Sequence, residues 1–261
     1  MRVGVVADSL AMPAKEALAR VAELGFRTVQ IDATAGDLDP ANLSRTGRRH
    51  LLRYTADLGL SLEALGAAGD QGRLIDPGAM DQRLEKLAQI MALAREVRVP
   101  AVTVRLGTLV DVGDKRQRDR AIEALRFLAE QADRTDVTVA VETAGIAPEA
   151  LSGLLREIDS PQVRACYDPA EIAMSGGDPI AQMEALGGRI AVAHVRDAVP
   201  GRGGRPGHET PIGRGGIDWR AYLASLDQAG FGGTPLIKRL GAARPAEELE
   251  HARRLIESIA R

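Results

Sequence analysis

Three short apolar runs, Thr138-Val-Ala-Val-Glu142, Val163-Arg-Ala-Cys-Tyr-Asp168 and Arg189-Ile-Ala-Val-Ala-His194, each end in a residue able to bind a metal. One helix-sized connection separates each run from the next. That is the rhythm of consecutive βα units in a parallel barrel, where strand C-termini converge on one face and carry the chemistry. Glu, Asp and His gathered on such a face suit a divalent cation of hard or borderline character. A fourth ligand is expected from the last strand, and there the sequence offers Lys238.

The alternation extends in both directions from this stretch. Strand-like runs at 3–7, 28–31, 62–65 and 101–104 precede it, and 235–238 follows. Helix-like segments lie between them at 13–24, 42–58, 80–97, 115–134, 148–158 and 179–186, then from Asp218 to near Gly230 and over 246–259. Gly25 and Gly59 read as C-terminal stops, and Pro148 and Pro179 as first-turn residues. In 80–97, Leu84, Leu87, Ile90, Met91 and Ala94 recur at helical spacing. Eight strand–helix pairs with no linker predict an α/β fold: one (β/α)8 TIM barrel covering residues 1–261 as one domain. A doubly wound open sheet is the alternative. The period-2 pattern agrees with a barrel. Val139 and Val141 share one face of their strand and Ala140 and Glu142 the other, so the functional tips fall on the side of the smaller, axis-facing residues.

Composition narrows the function. The apolar fraction of 45% is ample for a core, and with aromatics at 3% that core is built from Val, Leu, Ile and Ala. A net charge of -2 offers no global attraction to nucleic acid or to anionic membrane. The lone cysteine, Cys166, rules out an internal disulfide and by parity points into the barrel as a small filler. Nothing at the N-terminus reads as a signal peptide and no stretch is long and apolar enough to span a bilayer, so a cytoplasmic protein is expected. Two loops stand out: 66–78, rich in Gly and Asp, and 198–216, glycine-rich and expected to be mobile until a ligand orders it.

At this point the chain resembles the sugar phosphate isomerase/epimerase superfamily, the xylose-isomerase-like TIM barrels that also include endonuclease IV. The resemblance rests on Val141-Glu142-Thr143, Tyr167-Asp168-Pro169, Ala193-His194-Val-Arg-Asp197, Pro211-Ile-Gly213-Arg-Gly215-Gly-Ile-Asp218-Trp219 and Gly230-Phe-Gly-Gly233. It implies a metal site of Glu142, Asp168 and His194 for one divalent ion (Mn2+, Mg2+, Co2+ or Zn2+). The family's fourth ligand is a strand-eight Glu, and counting from Gly230 its place falls on Lys238. A cation there repels an incoming ion, and its ammonium can fill the space of the metal.

The expected function is therefore that of a sugar or sugar-acid isomerase or epimerase, acting by proton transfer next to a carbonyl. Glu142, or a neighbouring carboxylate such as Glu149, takes the proton. Lys238 acts as an acid, or as an electrophile in place of the metal. Without a second carboxylate opposite Glu142, a one-base shuttle or a dehydration suits the site better than two-base epimerisation. Arg105, Arg196 and Arg239, with Lys238, form a candidate cationic rim for a substrate carboxylate or phosphate, and His208 is a loop candidate that closes over the ligand. Glu171 reads as a first-turn helix residue and Trp219 as packing beneath the loop. The expected partner is a small sugar, sugar acid or sugar phosphate, without nucleic acid or membrane, and a homo-oligomer is compatible with it. The rival is a non-catalytic, metal-free barrel that binds a small anionic sugar derivative or a protein partner. An endonuclease would need more His ligands and a basic face. The strand tips Asp8, Asp32, Arg105, Glu142, Asp168, His194 and Lys238 are expected to open onto one cavity.

Overall fold

The computed structural model describes residues 2–67, 74–76, 78–108, 114–201, 203 and 205–260. Much of the 66–78 loop, and Arg202 and Gly204 of the 198–216 loop, lie outside the described residues. Among the described residues ten strands run in chain order: β1 (Gly4–Val6), β2 (Thr28–Asp32), β3 (Ser61–Gly66), β4 (Ala101–Val104), β5 (Thr138–Glu142), β6 (Val163–Tyr167), β7 (Ile190–Val195), β8 (Asp197–Val199), β9 (His208–Thr210) and β10 (Leu236–Ile237). The first seven and β10 close a parallel barrel, with β10 seated between β7 and β1. The helices are α1 (Ala14–Glu23), α2 (Arg45–Asp57), α3 (Met80–Glu96), α4 (Lys115–Thr135), α5 (Pro148–Ile158), α6 (Pro169–Met174), α7 (Trp219–Gln228) and α8 (Pro245–Ile259). No helix among the described residues is long and apolar enough to cross a membrane.

The strand alternation sorts the core into two shells. Val102, Val104, Val139 and Val141 pack outward against the helices. Val6, Ala64, Ala101, Ala140, Cys166, Val192 and Leu236 fill the axis. Small axial residues leave room near the C-terminal mouth for longer polar ones. At the closing seam the fit is tight: a Cβ on Gly4 would lie 2.6 Å from both Leu236 Cδ2 and the Thr28 carbonyl oxygen, so the first strand needs glycine there.

Helix starts follow local side-chain chemistry. Ser44, Asp114, Asp168 and Asp218 accept hydrogen bonds from first-turn amides of α2, α4, α6 and α7. Two elements depart from expectation. Residues 179–186 hold a 3-10 helix, Ala181–Leu186, entered through Asp178 Oδ1, which accepts from the Ile180 and Ala181 amides at 2.8 and 3.1 Å. The short helix α6 begins directly after Asp168, with Glu171 in its first turn. The glycine-rich stretch after β7 is built around the antiparallel β8–β9 hairpin, with Asp197 paired to Thr210 and Val199 to His208.

The hairpin's anchor is the Asp197 carboxylate, 1% exposed. Its Oδ1 accepts from the Ala198 amide at 2.9 Å. Its Oδ2 accepts from the Gly213 and Gly215 amides at 2.8 and 3.1 Å and from Trp219 Nε1 at 3.3 Å. Gly215 sits so close that a Cβ would overlap Asp197 Oδ1 at 2.0 Å. Further along, the amides of Gly201 and Gly207 donate to the carbonyls of Ala173 and Met174, tying the hairpin to α6.

Candidate active site

The chain places Glu142 at the end of β5, Asp168 after β6, His194 on β7 and Lys238 directly after β10, all on the same mouth of the barrel. Lys238 Nζ lies 3.4 Å from Glu142 Oε2 and 3.4 Å from Asp168 Oδ2, so the ammonium stands between the two carboxylates. Its backbone is fixed by its own amide, which donates to the Val195 carbonyl at 3.0 Å. Glu142 and Asp168 are 1% and 0% exposed. Burial alone raises a carboxyl pKa, but Lys238 and then Arg105 outweigh it and bring Glu142 down to about 2. For Asp168, Arg196 and Lys238 overcome the same burial and hold the group well below the usual carboxylate range. Burial also works against the Lys238 ammonium; the two carboxylates outweigh it and hold it above the ordinary lysine value.

His194 lies deeper, fully buried. Burial and then Lys238 lower its pKa, so the ring is neutral at neutral pH. Nδ1 faces Asp168 Oδ2 at 3.3 Å and Nε2 faces the Gln30 side-chain amide at 3.1 Å. Both partners present oxygen to the ring, Asp168 Oδ2 to Nδ1 and Gln30 Oε1 to Nε2, while Gln30 Nε2 donates to Thr103 Oγ1 at 3.1 Å; a neutral ring has one N–H and donates to one of the two at a time. Cys166 Sγ packs 3.8 Å from both ring nitrogens. Burial, then Glu142, push its thiol well above the ordinary value, so it stays protonated and serves as filler.

A second ring surrounds these residues. Arg105 Nε donates to Glu142 Oε2 at 2.8 Å, and its Nη2 donates to Glu171 Oε1 at 3.2 Å. Arg196 is enclosed: Nη1 reaches Asp168 at 3.3 Å and Glu171 at 2.7 Å, and Nε and Nη2 both bond Glu209 Oε2, at 2.9 and 2.7 Å. Arg239 bonds Glu209 Oε1 at 3.0 Å and Glu248 at 2.8 Å. Of the expected rim, Arg105 keeps the most solvent contact among the arginines, at 28% of its side chain against 6% for Arg196 and 13% for Arg239. His208 is exposed at the start of β9 with no bond into the cluster, and Glu149 is exposed in the first turn of α5. Asp197, at the end of the same motif as His194, anchors the hairpin.

Three participants were not singled out from the sequence as site residues: Gln30, Glu171 as an ion-pair partner, and Glu209. Gln30 carried a usable signal, the inward parity of β2, two residues before the Asp32 tip. Glu209 carried none, because its position depends on the hairpin.

The donor set does not fit a divalent ion as it stands. Among the described residues no three of His, Cys, Asp and Glu converge as a ligand group. The central oxygens, Glu142 Oε2 and Asp168 Oδ2, already contact Lys238 together with Arg105, Arg196 and His194. Asp168 Oδ1 is committed to the Ala170 and Glu171 amides at 3.1 and 3.4 Å.

Asp8 follows β1, and its Oδ2 accepts from the Asp32 amide at 2.9 Å. The residue reaches solvent, yet burial of its carboxyl and then the Asp32 carboxylate raise its pKa to about 6. We expect its carboxyl carbon to titrate by NMR with a midpoint near 6, and Asp32→Asn to move that midpoint down. The folded state then holds a proton that the unfolded chain has lost, so Asp8's contribution to stability falls as pH rises from 3.8 to about 6. A parent midpoint near 3.8 would show instead a fully solvated carboxylate.

Comparison with known proteins agrees with the barrel fold. The L-ribulose-5-phosphate 3-epimerase UlaE of Salmonella paratyphi C is 24% identical, over 90% of this chain and 85% of its own. A xylose isomerase domain protein from Planctomyces limnophilus superposes with a TM-score of 0.83 at 20% identity, over 93% of this chain and 90% of that one. A xylose isomerase-like TIM barrel protein from Mycobacterium smegmatis, solved in complex with magnesium, gives 0.75 at 17% identity, over 94% and 87% of the two chains. The family model described as xylose isomerase-like TIM barrel matches residues 18–259, and the chain belongs to that family.

Proposed function

We propose that this barrel mouth isomerises or epimerises a small sugar derivative by moving a proton next to a carbonyl. The observation that carries the proposal is Lys238 Nζ poised 3.4 Å from Glu142 Oε2: a hydrogen-bond donor and a proton acceptor held side by side at the strand tips. In the resting site Glu142 is a weak base, because two cations hold it ionised. A substrate oxygen that takes a hydrogen bond from Lys238 draws the ammonium away from Glu142 and restores its basicity. Glu142 then accepts the proton from the carbon beside the carbonyl. Lys238 and Arg105 stabilise the negative charge that develops on the enediolate oxygen, the step where fixed donors matter most. Return of the proton by the same carboxylate to the neighbouring enediolate carbon isomerises the sugar by a one-base shuttle; inversion of the first carbon instead takes its proton on the opposite face from a second donor, for which Lys238 is the candidate, so Glu142 and Lys238 form the catalytic pair. Arg105 is the rim residue best placed to meet a substrate carboxylate or phosphate.

The name of UlaE puts epimerisation at C3 of a ketopentose phosphate first among the reactions to try. Incubation with L-ribulose 5-phosphate and with unphosphorylated ketoses in D2O, followed by NMR, should show exchange of one carbon-bound hydrogen. Glu142→Gln should slow that exchange by about 100-fold or more. Exchange at the parental rate in Glu142→Gln would remove Glu142 from the reaction. A second reading, ligand binding without turnover, is favoured by one observation: the tip carboxylates are already fully paired with protein cations. Saturable binding of these sugars with no exchange in the parent would select it.

A further inference from the structure

We infer that Lys238 is the resident cation of this site, filling the place where a divalent ion would bridge Glu142, Asp168 and His194, and that the parent chain therefore excludes such ions. The mouth is the one used above, but the inference concerns what it holds and does not depend on turnover.

Geometry comes first. The ammonium contacts the inner oxygens of both carboxylates at the same distance, 3.4 Å, and is 6% exposed. The base of the side chain is fixed, because the Lys238 amide is bonded to Val195 beside the two-residue strand that closes the barrel. His194 adds no spare donor, since one nitrogen faces Asp168 and the other Gln30.

Charge points the same way. Around the centre, the carboxylates Glu142, Asp168 and Glu171 face the cations Lys238, Arg105 and Arg196, and His194 is neutral. In direct contact at the centre, three negative charges meet three positive charges. Glu209, on the far side of Arg196, pairs with Arg239, which also pairs with Glu248. A divalent ion entering this balanced cluster would leave two positive charges uncompensated in a buried place, where opposing charge is least screened. Lys238→Glu makes the cluster more negative by two charges, which a divalent cation neutralises. It also puts a carboxylate where the ammonium stood, giving oxygen donors on three strands and an imidazole on a fourth, a set suited to Mn2+.

Calorimetric titration with Mn2+ of metal-stripped parent, Lys238→Glu and Lys238→Gln tests this near neutral pH. We expect no saturable binding by the parent at micromolar ion and an affinity gain on the order of 100-fold or more in Lys238→Glu. Lys238→Gln, which removes the charge without adding a ligand, should gain less. Adding Asp168→Asn to Lys238→Glu should cancel the gain and so locate the ion. If Lys238→Glu folds only with metal, recovery of its circular dichroism on adding Mn2+ supports the inference equally, and Lys238→Gln keeps a folded comparison. Parental binding as tight as that of Lys238→Glu, or no gain in either variant, overturns it.

Discussion

Lys238→Met is expected to unfold well before the parent at neutral pH, even though methionine fits the space and packs well. The substitution removes a cation shared by two buried carboxylates, and breaking a buried pair from one side costs more than the pair contributes. Arg105 and Arg196 remain as partners of Glu142 and Asp168, which places the loss at the lower end of the usual range. We expect about 3 kcal/mol, or a melting temperature lowered by about 6–12 °C for a chain of this size. The sign of the pH dependence follows from the lowered carboxyl pKa values. Both groups are held below their ordinary values, so their pairing stabilises the fold fully above the usual carboxylate pKa of 4.5 for Glu142 and 3.8 for Asp168. That contribution is lost as pH falls toward the folded values, near 2 for Glu142. The variant's carboxylates, with less positive charge nearby, protonate earlier. The gap between parent and variant should therefore narrow on acidification, and urea denaturation at neutral and at mildly acidic pH measures it. A gap that stays constant with pH would mean that the loss is one of packing.

The second large effect is expected at Asp197. Asp197→Ala removes the acceptor of four donors: the Ala198, Gly213 and Gly215 amides and the Trp219 indole. Hydrogen bonds to a charged acceptor are worth more than neutral ones, and buried donors left without a partner carry a further desolvation cost. We expect a loss of about 3–5 kcal/mol, allowing for water entering where the carboxylate was. The loss should concentrate in the hairpin, since β8 and β9 pair only with each other. Hydrogen exchange should show faster exchange of amides over 197–199 and 208–216, while β4 and β5 stay protected. Because β9 carries Glu209, the variant should also free Arg196 and Arg239 from that carboxylate. Uniform acceleration of exchange across the barrel would show instead that Asp197 supports the whole fold.

The sequence was most legible where period and position coincide. Alternation along β5 separated the outward valines from the axial residues, and the three tips Glu142, Asp168 and His194 could be read from consecutive βα units. The place of Lys238 was also readable, because it follows the last strand of the barrel. Less legible were contacts that depend on loop geometry. No spacing rule places Glu209 against Arg196 and Arg239; a hairpin held by one carboxylate does so. Glu171 was read as a first-turn residue, which it is, but α6 begins so abruptly after Asp168 that the same side chain also meets two arginines. Residues 179–186 were read as helical without a type, because a proline and apolar spacing do not distinguish an α-helix from the 3-10 helix that forms there.

The closing seam has a consequence for how the protein is made. β1 is paired on one side by β10, which emerges from the ribosome after the other seven strands of the barrel. Until it docks, the barrel is an open sheet with β1 and β7 as bare edges, and Glu142 and Asp168 lack one of the cations that neutralise them. The strand that covers the edges also delivers the ammonium, so sealing the wall and balancing the interior charge happen in one event. A chain cut short before Leu236 would keep most of its elements and still fail on both counts, exposing sticky strand edges around an uncompensated acidic centre, the kind of species that quality control is built to remove.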